Sequence, residues 1–587
     1  MNSLPPGMLL ILGALVIPFL KGRTQKVYGL LLPIFSAMHM VNLPPDHLVH
    51  VQMFDYVLTP IRVDKLSLVW GYVFHLAVLV SIIYQLHVKD KLQDVAGIMY
   101  AGAAITAVFA GDVVTLFIFS ELAAVASAFL IYANRNTRSA TVGTRYFIIQ
   151  MVAGVLMLFG ILLWVHETQS LDFGATYSSG DWQLYGMFVD PESRMPVNPA
   201  AWLFLIAFGI KAAFPFLHNW LQDSYPEGTV TGTVFLSAFT TKLAIYALAR
   251  SFAGADILVP IGLAMTLFPI FFAVIENDLR KVLAYSLNNQ LGFMVVGVGL
   301  GTQLALNGAA SHAFAHIIYK GLLFMAMGAV LFRTGTVKAS ELGGLYKSMP
   351  LTCLFCIIGS LSISGFPIFS GFVTKSLTLS AAFDTHQIWL FAGLLVASAG
   401  VVDHSGIKIP FFAFFAHDAG RRVKEAPLNM LIAMGIAAFS CIFIGIYPEP
   451  LYALLPFDVQ ADASGAAWQN YTASHIVTSL QLLLFAALGF AVLYRNGWYP
   501  SELPALNIDT DVLYRKVLPA GIRWIARIGR KGIDGARAKA LGIINGFIVW
   551  IRGHHSPEGI MGDPWSIGAT ALWAAVLLGI YLIMAYL

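Results

Sequence analysis

Residues 209–250 read GIKAAFPFLHNWLQDSYPEGTVTGTVFLSAFTTKLAIYALAR, two apolar helical stretches joined by a polar turn that contains Pro226 and Gly228. Lys211 lies early in the first stretch, Lys242 deep in the second, and Phe214-Pro215-Phe216 interrupts the first. A lysine inside a membrane helix costs roughly 2.5–3.5 kcal/mol on insertion scales, so such a residue points to function. A proline at membrane depth frees backbone polar groups, which is tolerated where protein or a water-filled cavity lines the site. The stretch therefore reads as part of an ion path rather than a lipid-facing anchor.

The surrounding chain has the composition of a membrane protein. Of its 587 residues 58% are hydrophobic and 11% charged, where a soluble domain carries about 25% charged residues, and the mean hydropathy is +0.75. The expected fold is an all-α polytopic membrane protein. Apolar runs of spanning length, about 20 residues each, recur roughly sixteen times. The first, Met8 to Leu20, has no basic stretch before it and no small-residue cleavage site after it, so it reads as a transmembrane helix rather than a signal peptide. If every run spans, the basic residues between runs fall on one side: Lys21, Arg23 and Lys26, then Arg135, Arg138 and Arg145, then Arg280 and Lys281, and later Arg421, Arg422 and Lys424. The opposite loops, Leu43 to Val63, Leu171 to Asn198 and Tyr447 to Ser474, are nearly free of lysine and arginine. This asymmetry puts the basic loops in the cytoplasm and the N-terminus outside. Cys353, Cys356 and Cys441 make no disulfide framework, and the first two read as small apolar helix lining. There is no P-loop, strand-bound glycine fingerprint or nucleophile elbow.

The ionisable groups inside apolar runs carry the functional argument. Glu121 sits near the middle of GDVVTLFIFSELAAVASAFLIY, where a carboxylate must be neutral or paired. Asp112, nearer the end of that run, reads as a solvated cap. His312, His316 and Lys320 in HAFAHIIYK recur every four residues and so share one helical face. The zinc-protease pattern is absent, because Ala313 stands where glutamate is needed. A titratable stripe of this kind suits a proton relay or, alternatively, a hydrogen-bonded structural stripe. Lys375 follows a second proline-broken segment, ISGFPIFSGFVTK, much as Lys211 lies beside the first. Such paired broken helices are the mark of repeat-built transporters. Lys408 follows Lys375 as Lys242 follows Lys211, or else sits at a cytoplasmic helix end. His166, Glu167, Asp403 and His404 read as solvated helix ends. Arg523, Arg527 and Arg530 share a face in the basic tail, which is either an interfacial amphipathic helix or a positive-inside loop. Pro519 and several glycines argue there against one long helix.

Taken in order, Glu121, KAAFPFLHNWLQDSYP, LSAFTTKLAIYAL, NDLRKVLAYSLNNQLGF, HAFAHIIYKGLLF, GGLYKSMPLT and GFPIFSGFVTKSL resemble the antiporter-like membrane subunits shared by Mrp cation/proton antiporters, complex I and membrane-bound hydrogenases. The resemblance runs from Val63 to Leu455, and LSAFTTKLAIYAL and FFAFFAHDAGRRVKEAPLNM are most similar to the Mrp antiporter D subunit. It implies about fourteen core transmembrane helices in two inverted five-helix repeats with broken helices, plus extra C-terminal helices. On that basis residues 1–92 are N-terminal helices, 93–253 and 254–426 the two repeats, 427–500 C-terminal core helices, and 501–587 a basic segment with a final span. It also implies a proton-translocating subunit of a multisubunit Na+ or K+/H+ antiporter in the bacterial inner membrane, a secondary transporter rather than an enzyme. The relay would comprise Glu121, Lys211, Lys242, His312, His316, Lys320 and Lys375, with no cofactor and no metal. Expected partners are other membrane subunits, protons, Na+ or K+ and membrane lipid, not nucleic acid. The alternatives are a proton-pumping subunit of a complex I-like or hydrogenase redox complex, and an energy-coupling subunit of an inorganic-carbon uptake system. PEGTVTGT departs from the family's Ala-Pro-x-x-Val-Ser-Ala turn, and Asn288 and Asn289 stand where serine is common.

Overall fold

Backbone in hydrocarbon must satisfy its own N–H and C=O groups, and this apolar chain accordingly folds almost wholly as helices. The computed structural model describes residues 3–174, 178–179, 183–459, 468–500, 502–503, 507–556, 559 and 565–586, in two units, Met1–Asn507 and Ile508–Leu587. Parts of two lysine-poor loops, 175–177, 180–182 and 460–467, and Leu587 of the last expected span lie outside the described residues.

The first unit opens with α1 (Pro6–Val16), α2 (Gly22–Val41), an antiparallel ribbon of β1 (Leu48–Met53) and β2 (Tyr56–Arg62), α3 (Lys65–Gln85), α4 (Lys91–Val108), α5 (Val113–Tyr132) and α6 (Thr137–Thr168). It continues with α7 (Pro199–Lys211), α8 (Asn219–Ser224), α9 (Gly232–Ala238), α10 (Thr240–Ser251), α11 (Leu258–Ile275), α12 (Leu279–Leu300) and α13 (Gln303–Thr334). Then follow α14 (Pro350–Ser364), α15 (Ser370–Asp384), α16 (Ile388–Val401), α17 (Lys408–Pro410), α18 (Leu428–Ile446), α19 (Glu449–Tyr452) and α20 (Ala473–Arg495). Among the described residues, ten helices are long and apolar enough to cross a membrane, and three shorter apolar helices accompany them. The sequence suggests roughly sixteen runs because it also counts α4 and α12, which carry many polar groups, and halves of helices that the backbone breaks.

The two Phe-Pro breaks are built alike. Phe214-Pro215-Phe216 separates α7 from α8, and Phe366-Pro367-Ile368 separates α14 from α15. Phe214 N–H bonds back to Gly209 at 2.9 Å and Phe366 N–H to Leu361 at 3.1 Å, each five residues back. The residue after each proline is left-handed, Phe216 at φ 67° and Ile368 at φ 70°, as is the residue two before it, Ala213 at 63° and Gly365 at 76°. Bulky residues avoid this region unless their surroundings impose it, and such strain gathers at functional sites. Elsewhere small residues bring helices together. Gly262 of α11 and Gly292 of α12 face each other so closely that a Cβ on either would fall within 2.8 Å of the other's carbonyl oxygen, the contact mode of membrane helices.

Three expectations are corrected. Asp112 caps α5 but is not solvated: it is 1% exposed and accepts from the Thr115 amide and hydroxyl and the Thr59 amide, each at 2.7 Å. Asp403, His404 and Lys408 do not end a helix. Turns of π-helix at Val402–Ile407 and Phe411–Phe415 carry α16 through α17 as one helical stretch, Ile388–Phe415, with His404 and Lys408 fully buried inside it. In the second unit, α21 (Leu518–His555) is a single helix of 38 residues, followed by α22 (Ile567–Tyr586). Pro519 is the second residue of α21 and follows directly on a π-turn at Leu513–Val517, so the helical path runs through the proline rather than stopping at it.

Candidate functional site

The helix break decides where Lys211 points. It is the last residue of α7, and its ammonium reaches Glu121 of α5 at 2.9 Å, with the two side chains 6% and 16% exposed. Neither charge is stable in an apolar interior alone, and the contact compensates both. Gly154 of α6 makes room for the pair, because a Cβ there would stand 2.4 Å from the Glu121 carboxyl carbon.

Lys242 is fully buried near the start of α10, not deep within a continuous helix. The chain is interrupted at Phe239 between α9 and α10, and Lys242 Nζ donates at 2.6 Å to the Ser237 carbonyl that the interruption leaves free. A helix C-terminus carries partial negative charge, which favours a cation there. Between the acid–lysine pair and Lys242 lies a cluster of hydroxyls. The Tyr146 hydroxyl is 2.8 Å from that of Ser127, and Tyr100 hydroxyl is 2.5 Å from that of Thr240 and accepts from the Thr240 amide. Trp70 anchors Lys242's own carbonyl at 3.0 Å.

The predicted stripe on α13 is present and buried throughout. His312 Nδ1 is 3.1 Å from the Thr374 hydroxyl, and its Nε2 is 3.2 Å from Gln290 Oε1. Tyr319 donates to the same Gln290 oxygen at 3.1 Å. The His312 and His316 rings are 6.2 Å apart between centroids, and neither ring nitrogen of His316 has a hydrogen-bond partner among the described residues. Lys320 donates to the Ser286 hydroxyl at 2.8 Å. Ser405 donates to the same Ser286 at 2.6 Å, and His404 Nδ1 is 2.9 Å from Ser405.

Lys375 lies beyond its break, in α15, and donates back across it to the Ile363 carbonyl at 2.7 Å. Ile363 precedes Pro367 by the same four residues that separate Lys211 from Pro215. The second lysine therefore reaches the place that the first occupies by position. Lys375 also lies 5.3 Å from the centre of the Phe293 ring. It lines an open cavity of about 620 Å³ together with Ser376, Ser380, Asp384 and His475.

All seven residues singled out by sequence are thus buried or nearly so, but only Glu121 and Lys211 touch. Gly154, Tyr100, Tyr146, Gln290, Ser286 and the His404–Ser405 pair join them without having been signalled. Serines, tyrosines and glycines are common in membrane helices, and only the fold shows which face a charge. His218 and Asp223 have structural surroundings, with Asp223 accepting from Arg145 at 2.7 and 3.0 Å. Among the described residues no three His, Cys, Asp or Glu side chains converge as a metal site.

Comparison with known proteins agrees with this architecture. Residues 110–400 match the family described as NADH:quinone oxidoreductase/Mrp antiporter, TM. The chain is 30% identical over 356 residues to the D subunit of the Na(+)/H(+) antiporter of Alkalihalophilus pseudofirmus, covering 58% of this chain and 70% of that protein. It is 29% identical over 367 residues to the N subunit of the NADH-quinone oxidoreductase of Desulforudis audaxviator, covering 58% and 71%. In fold it is similar to a chain of the Mrp complex from Dietzia sp. DQ12-45-1b, with a TM-score of 0.74 and 20% identity, over 94% of this chain and 63% of that one.

Proposed function

This multi-pass membrane chain belongs to the NADH:quinone oxidoreductase/Mrp antiporter transmembrane family, and we propose that it is the proton-translocating subunit of a multisubunit Na+ or K+/H+ antiporter. The observation that carries the reading is the 2.9 Å contact of Glu121 with Lys211, placed at one end of a buried series of lysines and histidines. When the pair is closed, each charge compensates the other; when it opens, the uncompensated Lys211 hands its proton on. That proton passes by way of the Tyr146, Thr240 and Tyr100 hydroxyls to Lys242. From there His316, His312 and Lys320 carry it to Lys375 and the cavity beyond. A buried histidine without a protein partner is a natural place for a bridging water, and His316 takes that role between Lys242 and Lys320. The two repeats, 93–253 and 254–426, contribute one Phe-Pro break each. The chain works as a secondary transporter in the bacterial inner membrane beside other membrane subunits, without a cofactor of its own.

A second reading, a proton-pumping subunit of a redox complex, is favoured by the likeness to the N subunit of NADH-quinone oxidoreductase. Both readings use the same residues and differ in partners, so mass spectrometry of the gently purified complex separates them. The test of the relay itself is Glu121→Gln or Lys211→Ala in the assembled complex. Each should abolish proton flux in membrane vesicles while leaving subunit content unchanged. Full flux in either variant overturns the relay.

A further inference from the structure

A second buried acid–lysine pair lies at the other end of the same molecule. Lys408, fully buried in the π-turned helical stretch, places its ammonium 2.9 Å from Oε1 of Glu502, whose side chain is 7% exposed. The same ammonium is within reach of the carbonyls of Ala273 at 3.3 Å, Val274 at 2.6 Å and Glu276 at 2.7 Å. Its contact with Glu502 is a charge-assisted one to Oε1, and Oε2 receives no hydrogen bond among the described residues. A structural ion pair is normally completed by donors to the carboxylate, because burial is otherwise too costly. Glu276, nearby, is completed in that way, by Lys281 at 2.8 Å, Asn507 at 3.0 Å and the amides of Asn277 and Asp278. Oε2 of Glu502 is left with open lone pairs, the condition of a carboxylate that accepts protons.

The groups around the pair are polar and within electrostatic reach of it. Toward the face that carries the basic loops, Glu276 lies within electrostatic reach of both Lys408 and Glu502, and its partner Lys281 is 32% exposed. Toward the interior, Asp403 feels the charge of Lys408. The buried Tyr499 hydroxyl has no partner among the described residues and feels both Asp403 and Glu502. His404 follows, then Ser405, Ser286 and Lys320, linked by the contacts of 2.9, 2.6 and 2.8 Å given above.

We propose that Glu502 and Lys408 form a second acid–lysine switch that passes protons between the basic-loop face and Lys320 through Asp403, His404, Ser405 and Ser286. A proton entering past Lys281 and Glu276 is taken by the Glu502 carboxylate. Lys408 gives its own proton to Asp403 and is reprotonated from Glu502, so the pair returns to its starting charge with one proton moved inward. The segment after α20, which brings Glu502 to Lys408, is then a working part of the path and not merely a connection to the tail. The inference rests on the reading of Lys320 as a relay member.

The test uses the intact complex, reconstituted in proteoliposomes, with proton flux recorded against pH for Glu502→Gln, Glu502→Asp and, as reference, Lys211→Ala. Glu502→Gln should lose about a hundredfold or more of the flux, in the range of one lost acid–base group, with subunit content unchanged. Removing a carboxylate from beside a lysine favours its neutral form, so the alkaline limb of the residual flux should move to lower pH. Glu502→Asp should restore part of the flux. Wild-type flux and pH profile in Glu502→Gln, with Lys211→Ala inactive, removes the branch and leaves the main relay standing. Flux retained in Lys211→Ala removes the relay and the branch with it. If Glu502→Gln does not assemble, the pH profile of Glu502→Asp decides: a displaced profile supports the switch, and an unchanged one overturns it. Loss of assembly in both overturns it in favour of a structural latch.

Discussion

Replacing Gly154 by alanine tests the Glu121–Lys211 pair without touching either partner. The added Cβ would stand 2.3 Å from Oε2 and 2.4 Å from Cδ of Glu121, where ordinary contact begins near 3.4 Å. The carboxylate must retreat by about 1 Å, which the far end of a glutamate achieves by small rotations about its χ angles. A retreat that opens the 2.9 Å contact to about 4 Å lowers the Coulomb attraction from about 5.7 to about 4.2 kcal/mol at an effective dielectric of about 20. That difference of about 1.5 kcal/mol is about tenfold in the equilibrium between the closed and the open pair. Alanine is also a better helix former than glycine by about 1 kcal/mol, so α6 itself gains. Proton flux into everted vesicles, followed with a pH-sensitive dye, should fall about tenfold, with the complex intact by native electrophoresis. Wild-type flux in Gly154→Ala would refute the idea that the spacing of this pair sets the rate of proton transfer. Loss of the complex would place Gly154 in helix packing instead.

Lys375→Arg keeps a positive charge that cannot be released near neutral pH; it should abolish flux while leaving subunit content unchanged, and retained flux would make Lys375 a fixed charge rather than a carrier. Outside the spans, Asp418 is held well below the usual carboxylate range by hydrogen bonds from Arg422 first, then Lys347 and the Gly420 amide. A depressed carboxyl contributes stability above its unfolded value of about 3.9 and loses it only as pH falls toward the folded value. Hydrogen exchange at the Gly420 amide, corrected for intrinsic rate, should therefore be equally protected at pH 7 and pH 5, and a loss of protection by pH 5 would contradict this.

Isolated charges in apolar runs were legible from the sequence because hydrocarbon penalises them so heavily. Glu121, Lys211 and the α13 stripe stood out for that reason, and so did both Phe-Pro breaks. Where charges come close together the same logic misleads. Asp403, His404, Gly406, Lys408 and Pro410 within eight positions look like the end of a helix, yet π-turns shift the register enough to keep the stretch helical while the ammonium finds three carbonyls. Glu502 lies in a segment whose sequence looks like a surface connection, and nothing local reveals that it turns back to a buried lysine. The tail misled in the other direction, since Pro519 comes directly after a π-turn and the helix continues through it.

The half-helices have a consequence for how the protein is made. With 13 and 15 residues, α7 and α14 are about 20 and 22 Å long, short of the roughly 30 Å hydrocarbon core, so lipid alone does not hold them as they leave the ribosome. Lys211 enters a membrane where its acid, 90 residues upstream, is already in place, and Lys375 finds its carbonyl only 12 residues upstream. Lys408 arrives before Glu502 has been synthesised. Its three carbonyls come from the stretch Ala273–Glu276, made earlier, so these backbone groups act as its temporary counter-charge during synthesis. The order of translation thus gives that carbonyl cage an earlier task as well: holding a lysine in the bilayer until its acid is made.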